Sequence, residues 1–339
     1  MEYWKLVWVF VLAFLFGGYQ SEGCWEIEKA ALFQLKPFFS RPNGEGISWG
    51  KGNCCRWDWV ECSTSTGRVT RLFLEDSCDL EKKDIYLGWY LNISLFLPFE
   101  ELKSLNLGGN NIVGFIDNQG GSKLNKLEIL DFSDNKLSGN NILSHLTQFT
   151  SLKTLFLKNC GLQGSIDILS KKRQLRTLTK LEVLDLSSNY FNSSKFSSLA
   201  VLPHLKSLNI ESNKLTEWSY IQGKELKLMS LEELNLWGNV FNSYILSSLG
   251  GLSNLKSLYL YDGYAMEGPI GLPALKNLEK LHLGCGNNEN GWQNLTNLKE
   301  LTLTDLSDTS NIIRDIGTLT SLEDLVIDGC DVDDNLNLH

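Results

Sequence analysis

From Leu102 onward the apolar positions of this chain fall into one frame, L-x-x-L-x-L, closed in seven copies by x-x-N/C, which opens ten times, at Leu102, Leu127, Leu152, Leu181, Leu205, Leu231, Leu255, Leu278, Leu298 and Leu322. Successive openings lie 20 to 29 residues apart. Inside each frame the apolar residues alternate, which predicts a short strand: in "LKSLNLGGN" Leu105 and Leu107 face one side, Asn106 and Gly108 the other. One such strand cannot bury its leucines. Copies stacked at about 4.8 Å close a continuous apolar core with a parallel sheet along one side. Because each coil contacts only its neighbours, a chain of 339 residues escapes the usual single-core limit, and one elongated domain is enough.

The Asn that ends the frame (Asn110, Asn135, Asn189, Asn213, Asn239) sits where the chain leaves the strand, and its amide is expected to satisfy backbone groups of adjacent coils. Cys160 and Cys330 occupy the same slot, which predicts small buried thiols rather than reactive or metal-bound ones. The period and frame are those of leucine-rich repeats. The expected fold is therefore an α/β leucine-rich-repeat solenoid, a curved right-handed superhelix with its parallel sheet on the concave face.

The chain ahead of the repeats has a different pattern. Residues 1–23 carry Lys5, the apolar run Leu6 to Phe16, and small residues at Ser21 and Gly23, which reads as a cleaved signal peptide. An uncleaved anchor is the weaker alternative, since eleven apolar residues are short for a membrane span. Next, Ala31, Leu32, Leu35 and Phe39 share one face of an amphipathic helix expected over residues 26–36, with Pro37 marking its end. Secretion makes disulfides the expected state of the cluster Cys24, Cys54, Cys55 and Cys62, against a zinc site. Adjacent cysteines do not easily bridge each other, and of the three connectivities we take Cys24 with Cys54 and Cys55 with Cys62. Cys160 and Cys330 lie seven coils apart, roughly 34 Å at the strand spacing, and cannot pair. Cys78 and Cys285 are separated in the same way. The segment 24–68 is expected to act as a disulfide-bonded cap on the open apolar end of an array spanning 69–339. Asn92, Asn192 and Asn294 stand in glycosylation sequons, consistent with secretion.

The run Cys24 to Leu32, then Cys54-Cys55-x-Trp57-x-x-Val60-x-Cys62 and Gly67-Arg68-Val69, resembles the N-terminal cap of plant extracellular leucine-rich-repeat proteins. "LQGSI" (Leu162 to Ile166) and "MEGPI" (Met266 to Ile270) resemble that family's flank segment, which other repeats lack, so any second sheet should be patchy. Within the family the similarity is greatest to membrane-anchored receptor-like proteins. The resemblance implies an ectodomain, one transmembrane helix, no kinase domain of its own, and signalling through a partner or co-receptor kinase. The C-terminal cysteine cap and membrane span of that family do not appear before His339, so the chain reads as the N-terminal part of a longer receptor. Membrane anchoring would then need a continuation past His339.

The net charge of −9 and the lack of a basic stripe argue against nucleic acid as a partner. The histidines, His145, His204, His282 and His339, are scattered, and no metal-ligand, nucleophile or phosphate-loop spacing occurs, so neither an enzyme nor a cofactor is expected. Lys171 to Lys180 lengthens one interval and concentrates positive charge, a solvated insertion or a contact for acidic wall polysaccharide.

Binding is the chemistry the pattern does offer. Two columns of outward side chains run along the sheet, one from Asn106 through Asp131, Phe156, Asp185, Asn209, Asn235, Tyr259, His282 and Thr302 to Val326, the other from Gly108 through Trp237 and Tyr261 to Asp328. Phe156, Trp237, Tyr259, Tyr261 and His282 are the candidate ligand contacts, with Trp237 and Tyr259 as the expected hot spot for a peptide, glycan or protein ligand. The alternative is a freely secreted inhibitor similar to the polygalacturonase-inhibiting proteins.

Overall fold

The fold is taken from a computed structural model that describes residues 24–39, 49–75, 88–116, 124–137, 146, 148–165, 177–193, 199, 201–216, 228–241, 249–266, 275–286, 292–304 and 316–329. The leader at 1–23, Cys78, Cys330 and Lys171 to Arg176 lie outside these residues.

Strands follow the frame. The first seven are β1 (Val60–Cys62), β2 (Val69–Phe73), β3 (Trp89–Leu91), β4 (Ser104–Asn106), β5 (Ile112–Phe115), β6 (Ile129–Asp131) and β7 (Thr154–Phe156). Then come β8 (Gln163–Ser165), β9 (Val183–Asp185), β10 (Tyr190–Ser193), β11 (Ser207–Asn209) and β12 (Glu233–Asn235). The last are β13 (Ser257–Met266), β14 (Lys280–Gly286), β15 (Glu300–Thr304) and β16 (Asp324–Asp328). Twelve of these form one sheet in the order β1-β2-β4-β6-β7-β9-β11-β12-β13-β14-β15-β16. β1 is antiparallel to β2, and every later pairing in that sheet is parallel.

All ten frames supply a strand, and β2 adds a rung before them through Val69-x-x-Leu72-x-Leu74. The register places Leu72, Leu105, Leu130, Leu155, Leu184, Leu208, Leu234, Leu258, Leu281 and Leu301 opposite one another, and each is buried. Burial of each such side chain is worth roughly 1.5–3 kcal/mol, so the core is a file of equal, local contributions. Leu325 on β16 continues the file but is 45% exposed, because among the described residues only β15 covers it.

The asparagine ladder forms as expected. Nδ2 of Asn189 donates to the carbonyls of Leu157, Leu186 and Ser187 at 2.8, 2.9 and 3.0 Å, so it ties its own turn to the coil before it. Its Oδ1 accepts from the N–H groups of Cys160 and Leu162, both at 3.0 Å. Asn110, Asn135, Asn213 and Asn239 repeat the donor pattern one coil after another. The residue just before this slot must turn left-handed: Ser188 has φ 54°, and Gly238 has φ 66° with Ser212 Oγ only 3.0 Å from where a Cβ would stand. Cys160 fills the slot with a buried thiol that donates to Phe132 O at 3.1 Å. Burial pushes this thiol up to about 12, so it is not a nucleophile near neutrality.

Flanking strands are patchy. Among the described residues two parallel pairs form, β3 with β5 and β8 with β10, the latter beginning in "LQGSI". Of "MEGPI" only Met266, at the end of β13, is described.

The cap is built on α1 (Glu26–Leu35), which runs into a 3-10 turn, Lys36–Phe38, through Pro37. Ala31, Leu32, Leu35 and Phe39 are buried against the first coil. Disulfides join Cys24 to Cys54 and Cys55 to Cys62, with Cα–Cα separations of 5.6 and 5.5 Å. Glu28, on the buried face of α1, was not anticipated from the periodicity. Its carboxylate accepts from Arg68 Nε at 2.7 Å and from the Val69 N–H at 3.0 Å, pinning the helix to the start of β2. Arg68 also lies over the Trp25 ring at 4.3 Å and reaches Glu100 at 3.6 Å. Burial raises the Glu28 pKa even against these hydrogen bonds.

Candidate functional site

The ladder register confirms the outward column residue by residue, from Phe73 through Asn106, Asp131, Phe156, Asp185, Asn209, Asn235, Tyr259, His282 and Thr302 to Val326. Its first half and its second half behave differently. Asn106, Asp131, Asp185, Asn209 and Asn235 each use Oδ1 to accept the N–H two residues on, at 2.8–3.1 Å. This side-chain turn takes that amide out of the ladder and ends the strand after three residues. Tyr259 and His282 cannot do this, and the closing Asn is absent as well, since Gly263, Gly286 and Leu306 stand in its slot. The strands therefore run on: β13 has ten residues and β14 seven. The sheet widens where the aromatic residues lie.

On that widened sheet the Tyr259 and His282 rings stack, centroids 4.5 Å apart and planes 29° from parallel. Both side chains are half-buried. Burial lowers the His282 pKa, against an opposing pull from Glu300, so the imidazole is neutral near pH 7 and can donate one hydrogen bond and accept another. Burial raises the Tyr259 pKa, and Glu233 adds to the shift, which keeps the phenol protonated. Beside the stack, Lys280 pairs with Glu300 at 2.6 Å. Trp237, half-buried, stands on the coil before Tyr259, with its N–H bonded to Asn235 Oδ1 at 3.0 Å. Tyr261 sits two residues after Tyr259 on β13, in register with Gly284; its side chain lies outside the described residues. Phe156 is not part of this group. It is half-buried on β7 between Asp131 and Asp185, four strands or about 19 Å from Tyr259.

Of the sequon residues, Asn192 is exposed on β10, while Asn92 and Asn294 are half-buried. Asn92 Oδ1 accepts from the Ser94 N–H at 3.0 Å, capping the turn Ile93–Phe96. Among the described residues no cluster of three His, Cys, Asp or Glu side chains is arranged to hold a metal, and no helix is long and apolar enough to cross a membrane.

A further ladder of charges runs along a position that the apolar pattern does not mark. The residue after the first Leu of each frame reads Lys103, Glu128, Lys153, Glu182, Lys206, Glu232, Lys256, Glu279, Lys299 and Glu323, a strict alternation of sign across ten coils. It pairs Glu128 with Lys153 at 3.0 Å, Glu182 with Lys206 at 2.7 Å, Glu232 with Lys256 at 2.6 Å and Glu279 with Lys299 at 2.7 Å. The hydrogen bond from Lys206 holds Glu182 below the usual carboxylate range, and that from Lys299 does the same for Glu279. The signal was present in the aligned frames, at a position that faces neither the core nor the middle of the concave sheet.

Comparison with known proteins agrees with this architecture. Residues 27–63 match the leucine rich repeat N-terminal domain, and residues 180–202 and 230–252 match the leucine rich repeat. Curated relatives include Cuscuta receptor 1 of Solanum lycopersicum, 38% identical over 57% of this chain and 20% of its own length. Receptor-like protein 9a of Arabidopsis thaliana is 36% identical over 60% of this chain and 21% of its own length. The chain thus spans about a fifth of the length of the curated relatives it matches. Among solved structures, the Arabidopsis receptor kinase HAESA, in complex with the peptide hormone IDA and the co-receptor SERK1, aligns with a TM-score of 0.62 and 24% identity. That alignment covers 82% of this chain and 46% of HAESA and speaks to the fold alone.

Proposed function

We propose that this leucine-rich-repeat chain, whose curated relatives are plant receptor-like proteins, is the extracellular recognition portion of such a receptor. It takes a peptide, microbial or cell-wall ligand on the concave face and signals through a partner kinase at the cell surface. The observation that carries the reading is the Tyr259–His282 stack on the widened part of the sheet, with Trp237 on the adjacent coil. Stacked rings offer a rigid apolar surface that loses little side-chain entropy on binding, and neutral His282 adds directional hydrogen bonding at its edge. The polar first half of the column, tied into its own turns, frames that surface without competing for an apolar anchor.

The test is a binding screen of the purified, secreted chain against synthetic plant and microbial peptides and wall oligosaccharides, followed by Trp237→Ala with Tyr259→Ala. The double variant is expected to weaken the best binder at least about tenfold, as loss of an aromatic hot spot does. Unchanged affinity in a variant that melts like the parent would refute the assignment of this face.

A further inference from the structure

Along the edge of the sheet where the strands begin, the alternating charges form one wall of a groove of about 590 Å³ that runs from the fifth coil to the tenth. The opposite wall comes from the residue just before each frame: Ser230, Asn254, Asn277, Asn297 and Ser321. Each of these uses one donor to fasten its coil to the previous turn. Asn254 Nδ2 donates to Met229 O at 2.5 Å, Asn277 to Ser253 O at 2.7 Å and Asn297 to Lys276 O at 2.6 Å. On the seventh to ninth coils the three carbamoyl groups are held in a row, with an N–H and the Oδ1 of each still open to a ligand among the described residues. Three ammonium groups and two carboxylates face them, Lys206, Lys256 and Lys299 against Glu232 and Glu279.

We propose that this groove binds an unbranched, neutral, β-1,4-linked oligosaccharide, laid along the coils with one hexose per coil. Two features select that class. The walls offer both donors and acceptors, with a carboxylate between successive ammonium groups, which suits hydroxyl groups and repels a polyanion at every second coil. The polar sets also recur at the strand spacing of about 4.8 Å, close to the rise of an extended β-1,4-linked hexose chain, whereas an extended peptide rises about 3.3 Å per residue and falls out of step. From the fifth coil to the tenth the groove is about 24 Å long and takes about five sugars. The site lies on a different face from Trp237 and Tyr259 and does not depend on what they bind.

Isothermal titration of the purified chain with cello-oligosaccharides of two to six units tests the proposal. Affinity should rise with each sugar and level off at about five, with the pentamer binding at least about tenfold more tightly than the dimer. Asn254→Ala with Asn277→Ala should abolish most of that gain. Asn277→Arg, which fills the groove while keeping a donor for the Ser253 carbonyl, covers the case in which the alanine variant is unstable. Lys158→Ala, exposed on the third coil and outside the groove, should leave the titration unchanged. The proposal is overturned if the hexamer does not bind, if affinity is independent of length, if groove variants that melt like the parent bind normally, or if oligogalacturonate or an extended peptide binds better than the neutral sugar.

Discussion

Replacing Asn189 by Ala tests whether the closing asparagine, rather than the leucine file alone, holds neighbouring coils together. Asn189 is 3% exposed, and its side chain makes five hydrogen bonds to backbone groups. Two of those groups keep another partner: Leu186 O also accepts from Asn213 Nδ2, and Ser187 O from the Asn159 N–H. The remaining three, the N–H groups of Cys160 and Leu162 and the carbonyl of Leu157, are left buried without one among the described residues. At roughly 1–2 kcal/mol each, after some entry of water into the space vacated, the expected loss is about 3–6 kcal/mol. Asn209→Ala is the control, because Asn209 is half-buried and its partners reach water; it should cost less than about 1 kcal/mol. Urea unfolding followed by circular dichroism gives the total. Amide hydrogen exchange, which a solenoid without uniform cooperativity requires, should show protection lost first at Cys160 and Leu162. A loss below about 1 kcal/mol, or exchange that rises equally in all coils, would refute the reasoning. Cys160→Asn should act in the opposite direction, gaining about 1 kcal/mol, since a carbonyl oxygen in that slot can accept from the Leu137 N–H as Asn135 Oδ1 does from Ile112.

Glu28→Ala should destabilise the cap by about 2–4 kcal/mol, with Arg68's contacts to Trp25 and Glu100 sparing part of the cost of an orphaned buried partner, as proteolysis after the first coil would register. Lys256→Glu places three carboxylates in succession at 232, 256 and 279, and the melting temperature should fall by an amount that shrinks as salt is raised, since the pairs are exposed. Its partner pairs set a pH window: the lowered Glu182 and Glu279 stabilise above the usual carboxylate range and lose this as pH falls through their folded values, while the raised lysines lose theirs as pH climbs past the usual lysine range. His282 adds to the acid limb with the same sign. With its folded pKa lowered, it contributes nothing while neutral in both states and destabilises as pH falls below the usual imidazole value, so His282→Gln should flatten that part of a stability–pH profile.

The core was legible because its signal is repeated: a leucine at the same frame position on every coil leaves no freedom in register, and the Asn slot states its own turn geometry. The disulfide pairs and α1 were legible for a similar reason, since local spacing and one buried face determine them. Glu28 was not legible, because a carboxylate on an apolar helix face reads as an irregularity until Arg68, 40 residues away, is seen beside it. Phe156 shares the outward column and aromatic character of Tyr259, but a solenoid places side chains by coil number, and four coils separate them.

The candidate face and the scaffold are consequences of one substitution pattern rather than separate features. An Asx residue in the outward column and an Asn in the closing slot both withdraw backbone groups from the sheet, so a coil that has both ends its strand early and presents a polar, self-satisfied rung. A coil with neither an Asx residue in the column nor a donor in the slot, as at Tyr259 and His282, extends the ladder instead, as in β13 and β14, whereas β7, with Phe156 in the column, stays short because the Cys160 thiol fills the slot and donates to Phe132 O and Lys158 O. Tyr259 and His282 are thereby placed on strands paired over five consecutive residues, Ser257–Tyr261 with Lys280–Gly284, which favours a rigid anchor. Restoring the pattern should undo this. Tyr259→Asn with Gly263→Asn is expected to shorten β13 to the length of β12, raising amide exchange after Leu260, and to leave His282 without a stacking partner. Unchanged protection beyond Leu260 in that variant would mean that the widened sheet has a cause other than the missing asparagines.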